Sequence, residues 1–247
     1  MEQTYKRPAA LQQRGSKYCP GCLHGILTRL IAECIDELEI RERSICVLPV
    51  GCSALGMHTF RTDMISAAHG RAPAVATGLK RCKPDGIVFT YQGDGDLAAI
   101  GLSEVMHAAN RGENITVFFV NNSIYGMTGG QMAPTTLPGQ KSTTTPDGRN
   151  TANEGFPMKM CEIISQLEAP VYVARFALHT PQNVNKARKG ILHALECQVN
   201  GKGFSFVEVL TNCPTNWGMT PQKSLEWMAE NTLLQFPLGE FIKKGGA

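Results

Sequence analysis

The feature that most constrains the fold of this chain is a pair of polar segments, each placed directly after an apolar run. Gly-Asp-Gly at 93–95 follows the run 86–91, and Asn-Asn at 121–122 follows the run 115–120. Between them, residues 98–109 have the mixed apolar and polar spacing of a helix. The pattern predicts a strand–helix–strand unit in which both strands end in oxygen-bearing side chains.

The two strand ends carry the ligand types of a hard divalent cation. The Asp94 carboxylate, the Asn122 amide and nearby backbone carbonyls suit Mg²⁺, which in turn neutralises a diphosphate. Either motif alone is also an ordinary turn or helix cap. Together, after two buried strands, they resemble the thiamine-diphosphate-binding fold. That resemblance makes Asp94 and Asn122 side-chain ligands of Mg²⁺ and Ile124 a backbone-carbonyl ligand.

Strands and helices alternate along most of the remaining chain. Further strands are predicted at 44–50, 171–176 and 204–210, and further helices at 23–38, 74–83, 158–166 and 184–199. The alternation predicts an α/β fold, a mostly parallel sheet with helices on both faces and ligands at the carboxyl ends of its strands. We expect a single domain over 1–247, with an N-terminal arm at 1–18 and a C-terminal tail at 215–247. The Gly-, Pro- and Thr-rich stretch 123–157 is long enough to be functional.

Composition excludes several classes of function. The net charge of +3 is mild and scattered, which gives a nucleic-acid-binding protein little support. The N-terminus is polar, without the apolar core of a signal peptide, and no apolar stretch approaches a membrane span. We therefore expect a cytoplasmic protein that contacts neither nucleic acid nor membrane. Its nine cysteines should then be reduced core residues or ligands.

Four of the cysteines form a pattern. Cys19 and Cys22 flank Pro-Gly before the first helix, Cys52 follows the first strand, and Cys213 follows the last one. The residues alone allow a zinc site, a redox dithiol, an iron–sulfur cluster or unrelated cysteines. Zinc sites usually pair two CxxC motifs, whereas Cys-Pro is common in ferredoxins, so an iron–sulfur cluster is favoured over zinc.

A resemblance to a known family runs from about residue 18 to about residue 239. CPGC, GCS, HGRA, GDGD, NNSIYGMTGGQ and CPTNWG resemble the thiamine-diphosphate-binding (beta) subunit of 2-oxoacid:ferredoxin oxidoreductases. The resemblance implies that Cys19, Cys22, Cys52 and Cys213 ligate one [4Fe–4S] cluster, and it makes His69 the candidate catalytic residue. The cofactor contacts that it implies are Gly51, Ser53, His69, Gly70, Gly95, Asp96, Gly126 and Met127.

The resemblance also implies an activity and a set of partners. The expected reaction is oxidative decarboxylation of a 2-oxo acid with CoA to acyl-CoA and CO₂, with electrons passed through the cluster to ferredoxin. The motifs look most like those of the 2-oxoglutarate and 2-oxoisovalerate members. The chain lacks a pyrimidine-binding domain and a ferredoxin module, so alpha, gamma and ferredoxin-like subunits are expected.

Other functions remain open on sequence alone. A non-oxidative thiamine-diphosphate decarboxylase or lyase subunit with a structural zinc site would carry the same strand-end motifs. An inactive scaffold subunit would have no need of intact metal ligands, which argues against that function. A nicotinamide enzyme is disfavoured because no GxGxxG opens a helix after a first strand.

Overall fold

Seven of the nine strands form one sheet, in the order β2-β1-β3-β4-β8-β7-β9. The computed structural model describes residues 6–244. The strands are β1 (Ser44–Leu48), β2 (Asp63–Ser66), β3 (Ile87–Gly93), β4 (Thr116–Asn121), β5 (Ile124–Tyr125), β6 (Gln131–Met132), β7 (Tyr172–Ala177), β8 (Ser205–Leu210) and β9 (Gly239–Lys243). Neighbouring strands of the sheet are parallel except β9, which runs antiparallel to β7. β5 and β6 form a separate small hairpin.

Helices cover both faces of the sheet, as predicted. They are α1 (His24–Glu37), α2 (Ala72–Cys82), α3 (Leu102–Asn110), α4 (Thr151–Glu154), α5 (Met160–Ile164), α6 (Pro181–Val199), α7 (Pro214–Trp217), α8 (Pro221–Trp227) and α9 (Leu233–Gln235). Apolar residues of α1 and α6 pack in one core cluster, and those of α2, α3 and α5 pack in another. The predicted mostly parallel α/β fold is therefore confirmed.

The central strands show why this sheet needs two cores. All six residues of β4 are buried. Phe118 and Val120 belong to one cluster, whereas Val117 and Phe119 belong to the other, as the alternation of side chains along a strand requires. Strands apolar on both faces are typical of parallel sheets covered by helices. This arrangement leaves the ends of the strands as the place where polar residues gather.

Sequence patterns missed the two edges of the sheet. All four residues of β2 are exposed to some degree, and the strand carries no apolar alternation that would predict it. β9 lies in the predicted C-terminal tail, where its antiparallel pairing with β7 is a long-range contact. Residues 1–5 of the predicted arm and 245–247 of the predicted tail lie outside the described residues. Within 6–244, no helix is long and apolar enough to cross a membrane.

Candidate cofactor and cluster site

An open cleft of about 550 Å³ lies at the carboxyl ends of the central strands. Most of the predicted site residues line it. They are Gly51, Cys52, Ser53, His69, Asp94, Gly95, Asp96, Asn122, Ile124, Gly126 and Met127. The other predicted site residues, Gly70, Cys19, Cys22 and Cys213, do not line the cleft. The parallel strands thus bring residues from four separate segments to one edge, as the strand-end motifs predict.

Asp94 and Asn122 occupy the floor of the cleft. The Asp94 carboxylate accepts hydrogen bonds from the Gly95 amide (2.8 Å) and the Thr135 hydroxyl (2.5 Å), and burial raises its pKa to about 6. The Asn122 side-chain oxygen accepts from the Ile124 amide at 3.3 Å. Because burial disfavours the charged form of this carboxylate, a bound divalent ion would stabilise it.

Asp96 holds the segment that carries His69. One of its carboxylate oxygens accepts from the Gly70 amide (2.7 Å) and from Nδ1 of His69, and the other accepts from the Gln92 amide (2.7 Å). With Nδ1 engaged by the carboxylate, the His69 ring lies at the cleft with a fixed orientation. Gln92, the residue before Gly93, was not predicted, because a polar residue inside a buried strand gives no periodic signal.

Another part of the cleft lining suits a diphosphate-bearing cofactor. The Ser53 hydroxyl is buried at the cleft and has no hydrogen-bond partner among residues 6–244. Gly51 adopts φ +103°, and a Cβ placed there would meet nothing within 4 Å, so the backbone borders open space. A free hydroxyl, an imidazole and an unshielded backbone are groups that contact phosphate oxygens. The residues present therefore fit thiamine diphosphate.

The four predicted cluster cysteines lie within electrostatic reach of one another. Burial raises the pKa of Cys22 to about 12 and of Cys52 to about 11, and the thiols of Cys213 and Cys19 add to both shifts. Burial and Cys19 likewise raise the pKa of Cys213. Within 6–244, no three His, Cys, Asp or Glu side chains converge as ligands of one ion. A set of four thiols is the ligand set of both structural zinc sites and iron–sulfur clusters.

Gly126 joins the cysteines to the cofactor cleft. A Cβ on Gly126 would lie 3.2 Å from Sγ of Cys52 and 3.6 Å from Sγ of Cys213. The Asn216 amide donates to the Gly126 carbonyl (2.7 Å) and to Sγ of Cys213 (3.4 Å). The loop after β5 therefore touches the cysteines on one side while it lines the cleft on the other.

His24 is a cleft residue that the sequence did not single out. Its ring is buried, stacks on Tyr18 at 4.7 Å and pairs through Nδ1 with the Tyr91 hydroxyl at 2.5 Å. Burial lowers the pKa of His24 to about 4, so the imidazole is neutral. A lone histidine at the start of an amphipathic helix carries no sequence signal that separates it from a core residue.

The two glycines of the Gly-Asp-Gly motif should differ sharply in their tolerance of a methyl group. A Cβ on Gly95 would lie 2.2 Å from the Tyr125 ring, whose hydroxyl donates to the Gly95 carbonyl at 2.8 Å, whereas a Cβ on Gly93 would meet nothing within 4 Å. We expect Gly95→Ala to lower the free energy of unfolding by about 1–3 kcal/mol through overpacking. Gly93→Ala is the matched control and should be close to neutral. Chemical denaturation of the cofactor-free protein measures both, and equal effects would contradict the prediction.

Comparison with known proteins places the chain in a family. A family model described as the C-terminal TPP-binding domain of thiamine pyrophosphate enzymes matches residues 49–209. The chain is 39% identical over 225 residues to the 2-oxoglutarate synthase subunit KorB of Methanocaldococcus jannaschii, covering 87% of this chain and 78% of that one. The chain belongs to the 2-oxoacid:ferredoxin oxidoreductase family. The predicted resemblance is thereby confirmed.

Other members of the 2-oxoacid:ferredoxin oxidoreductase family match nearly the whole chain. The ketoisovalerate oxidoreductase subunit VorA of Methanothermobacter thermautotrophicus is 47% identical over 241 residues, covering 98% of this chain and 50% of VorA. The chain thus spans about half the length of that relative. A solved 2-oxoglutarate:ferredoxin oxidoreductase from Magnetococcus marinus, with 2-oxoglutarate, coenzyme A and succinyl-CoA bound, aligns with a TM-score of 0.77 and 26% identity. That alignment covers 99% of this chain and 87% of the other.

Proposed function

We propose that this chain is the thiamine-diphosphate- and cluster-binding subunit of a 2-oxoacid:ferredoxin oxidoreductase. The observation that carries the proposal is the contact of one loop, at Gly126, with both the cofactor cleft and the sulfurs of Cys52 and Cys213. Electrons released in the cleft then have a short path to the cluster. The net reaction converts a 2-oxo acid and CoA into acyl-CoA, CO₂, a proton and two electrons, which leave one at a time.

The cofactor set follows from the residues at the strand ends. Asp94, Asn122 and the Ile124 carbonyl would hold Mg²⁺, while Ser53, His69 and the Gly51 backbone would face the diphosphate. Thiamine diphosphate, when bound, supplies the nucleophilic carbon that accepts the 2-oxo acid and stores electrons once CO₂ has left. Asp96 supports this set by orienting His69 and Gly70 through its carboxylate. Cys19, Cys22, Cys52 and Cys213 would hold the [4Fe–4S] cluster.

Exposed apolar side chains at the cleft support a partner subunit that closes it. Val50 and Met127 line the cleft and are 44% and 49% exposed. Ile100, which packs against Gly70, is 42% exposed. Apolar groups gathered at the mouth of a polar cleft are typical of a surface that is covered in an assembly. We infer that an alpha, pyrimidine-binding subunit docks here, with gamma and ferredoxin-like subunits completing the complex and ferredoxin as electron acceptor.

The proposed substrate class is branched-chain 2-oxo acids, with 2-oxoglutarate second. The ketoisovalerate oxidoreductase subunit VorA is more similar to this chain than the 2-oxoglutarate synthase subunit KorB is, at 47% against 39% identity. The nine cysteines are all free thiols, which suits a reducing cytoplasm.

The test is an anaerobic assay of the complex purified with its partner subunits. We expect 2-oxoisovalerate to reduce a one-electron dye only when CoA is present, with kcat/KM at least about tenfold above that for 2-oxoglutarate. CO₂ and acyl-CoA should appear in equal amounts. Decarboxylation to an aldehyde without dye reduction would instead establish the non-oxidative function.

A further inference from the structure

A buried ion pair lies beneath the proposed metal site. Arg175 of β7 and Glu208 of β8 are neighbours on adjacent strands of the sheet. Arg175 Nε donates to Glu208 at 2.8 Å, and both side chains are fully buried. Arg175 also donates to Glu162 (2.9 and 2.5 Å) and to the Pro237 carbonyl (3.1 Å). The guanidinium is therefore held from three sides. Because burying an ion pair often gives no net stability, this pair calls for another explanation.

The second oxygen of Glu208 contacts the end of the neighbouring strand. Glu208 Oε1 accepts from Nδ2 of Asn121 at 2.8 Å, and Asn121 is fully buried. Arg175 and Asn121 each present an N–H to Glu208, so its carboxylate accepts from both, and the buried Cys161 thiol also contacts this carboxylate. The Asn121 amide must then present its NH₂ to Glu208 and its oxygen to the opposite side.

The freed oxygen of Asn121 supports a backbone turn of unusual conformation. Asn121 Oδ1 accepts from the Ser123 amide at 3.2 Å, and Ser123 has φ +57° in the left-handed region. Thr136 donates to the Ser123 carbonyl at 2.6 Å, and Gln140 donates to its hydroxyl at 2.8 Å. A non-glycine residue holds such a conformation only when its surroundings impose it.

The turn at Ser123 joins the two metal ligands on this strand end. We propose that Glu208, fixed by Arg175 and acting through Asn121, is a positioning residue for the Mg²⁺-binding turn 122–124. The inference rests on the proposed function, since it concerns the same metal. Glu208 sets the orientation of the Asn121 amide, and this amide holds Ser123 in its left-handed conformation. The residues on either side of Ser123, Asn122 and Ile124, then face the cleft.

An exchange of the acid and the amide between positions 121 and 208 tests the proposal. Asn121→Asp places two carboxylates against each other, and Glu208→Gln lets the amide of Asn121 flip. Each should raise the apparent Kd for Mg²⁺ in thiamine-diphosphate binding by at least about tenfold. In Asn121→Asp/Glu208→Gln, the glutamine NH₂ donates to the new carboxylate and its oxygen accepts from Arg175. The double variant should return to within about threefold of wild type.

Glu162→Gln is the matched control, because it alters the same arginine on the side away from Asn121. It should leave the Kd unchanged. Calorimetric titration of the purified complex with Mg²⁺ at fixed thiamine diphosphate measures the Kd, while thermal unfolding and the cluster's EPR signal show that the rest of the subunit is intact.

Single variants with wild-type affinity, or a double variant as weak as the singles, would overturn the inference. If a single variant fails to fold, the double variant still tests the proposal. The proposal requires the double variant to fold and to bind Mg²⁺ like the wild type. A wild-type complex with intact EPR signal that binds no Mg²⁺ would overturn both this inference and the metal site of the proposed function.

Discussion

Replacement of Cys52 by alanine is expected to remove the proposed iron–sulfur cluster and abolish electron transfer. Cys52 is half-buried at the cleft, and its sulfur lies beside Gly126 together with that of Cys213. Because the proposed [4Fe–4S] cluster takes one thiolate from each of four cysteines, the loss of Cys52 opens a corner next to the cofactor. In the complex purified without the ferredoxin-like subunit, whose own clusters would also contribute, iron and labile sulfide should fall below about four per chain, and the EPR signal of the dithionite-reduced protein should vanish. Dye reduction should become undetectable.

Cys82→Ala is the control for this experiment. Cys82 is exposed at the end of α2 and is not part of the four-thiol set. Its replacement should leave iron, EPR signal and activity at wild-type values. A Cys52→Ala protein that keeps its iron would remove this residue from the ligand set. Wild-type protein that contains one zinc and no iron would favour the non-oxidative alternative.

Much of the site could be predicted because its residues stand at the ends of apolar strands. Asp94 comes directly after β3, and Asn122 comes directly after β4. Cys52 lies a few residues after the end of β1, and Cys213 lies a few residues after the end of β8. A parallel sheet brings these ends together whatever the loop lengths are, so topology alone predicts their proximity. Predicting that these residues lie close together therefore required no knowledge of their side-chain contacts.

The supporting residues could not be predicted, because their partners are distant in sequence. Thr135 lies 41 residues from Asp94, and Glu208 lies 87 residues from Asn121. A polar side chain inside a buried strand, such as Glu208 or Gln92, breaks the apolar pattern without revealing what it binds. The same limit applies to β9, whose pairing depends on where the chain returns rather than on its own composition.

Asp94 carries a cost in stability that the metal is expected to offset. Burial raises its pKa from 3.8 to about 6, so the folded protein binds this proton more tightly than the unfolded chain does. Between about pH 4 and pH 6 the metal-free protein should therefore lose stability as the pH rises, and above pH 6 the loss is complete. A bound Mg²⁺ reverses the sign, because it favours the ionised carboxylate.

Asp94→Asn should then stabilise the metal-free protein while it destroys the metal site. The asparagine oxygen can accept from the Gly95 amide, and its NH₂ can donate to the Thr135 hydroxyl, which then becomes the acceptor; the side chain carries no charge to bury. At pH 7.5 we expect the free energy of unfolding without Mg²⁺ to rise by about 1–3 kcal/mol. The affinity for Mg²⁺ should fall by more than about 100-fold. That loss is larger than the loss expected for a residue that only hydrogen-bonds to a metal ligand. Denaturation at several pH values, with and without Mg²⁺ and thiamine diphosphate, measures both effects.

Asp147→Asn distinguishes this site-specific gain from a general effect of removing a negative charge. Asp147 is exposed in the long segment between β6 and α4, which also contains Thr135. Its replacement should change neither the free energy of unfolding at pH 7.5 nor the affinity for Mg²⁺, because substitutions of exposed side chains usually have little effect on stability. If Asp94→Asn lowered the stability of the metal-free protein at pH 7.5, burial would not be the main influence on this carboxylate. A stabilised variant that no longer binds Mg²⁺ would show that the fold keeps an unfavourable buried charge because the cofactor requires it.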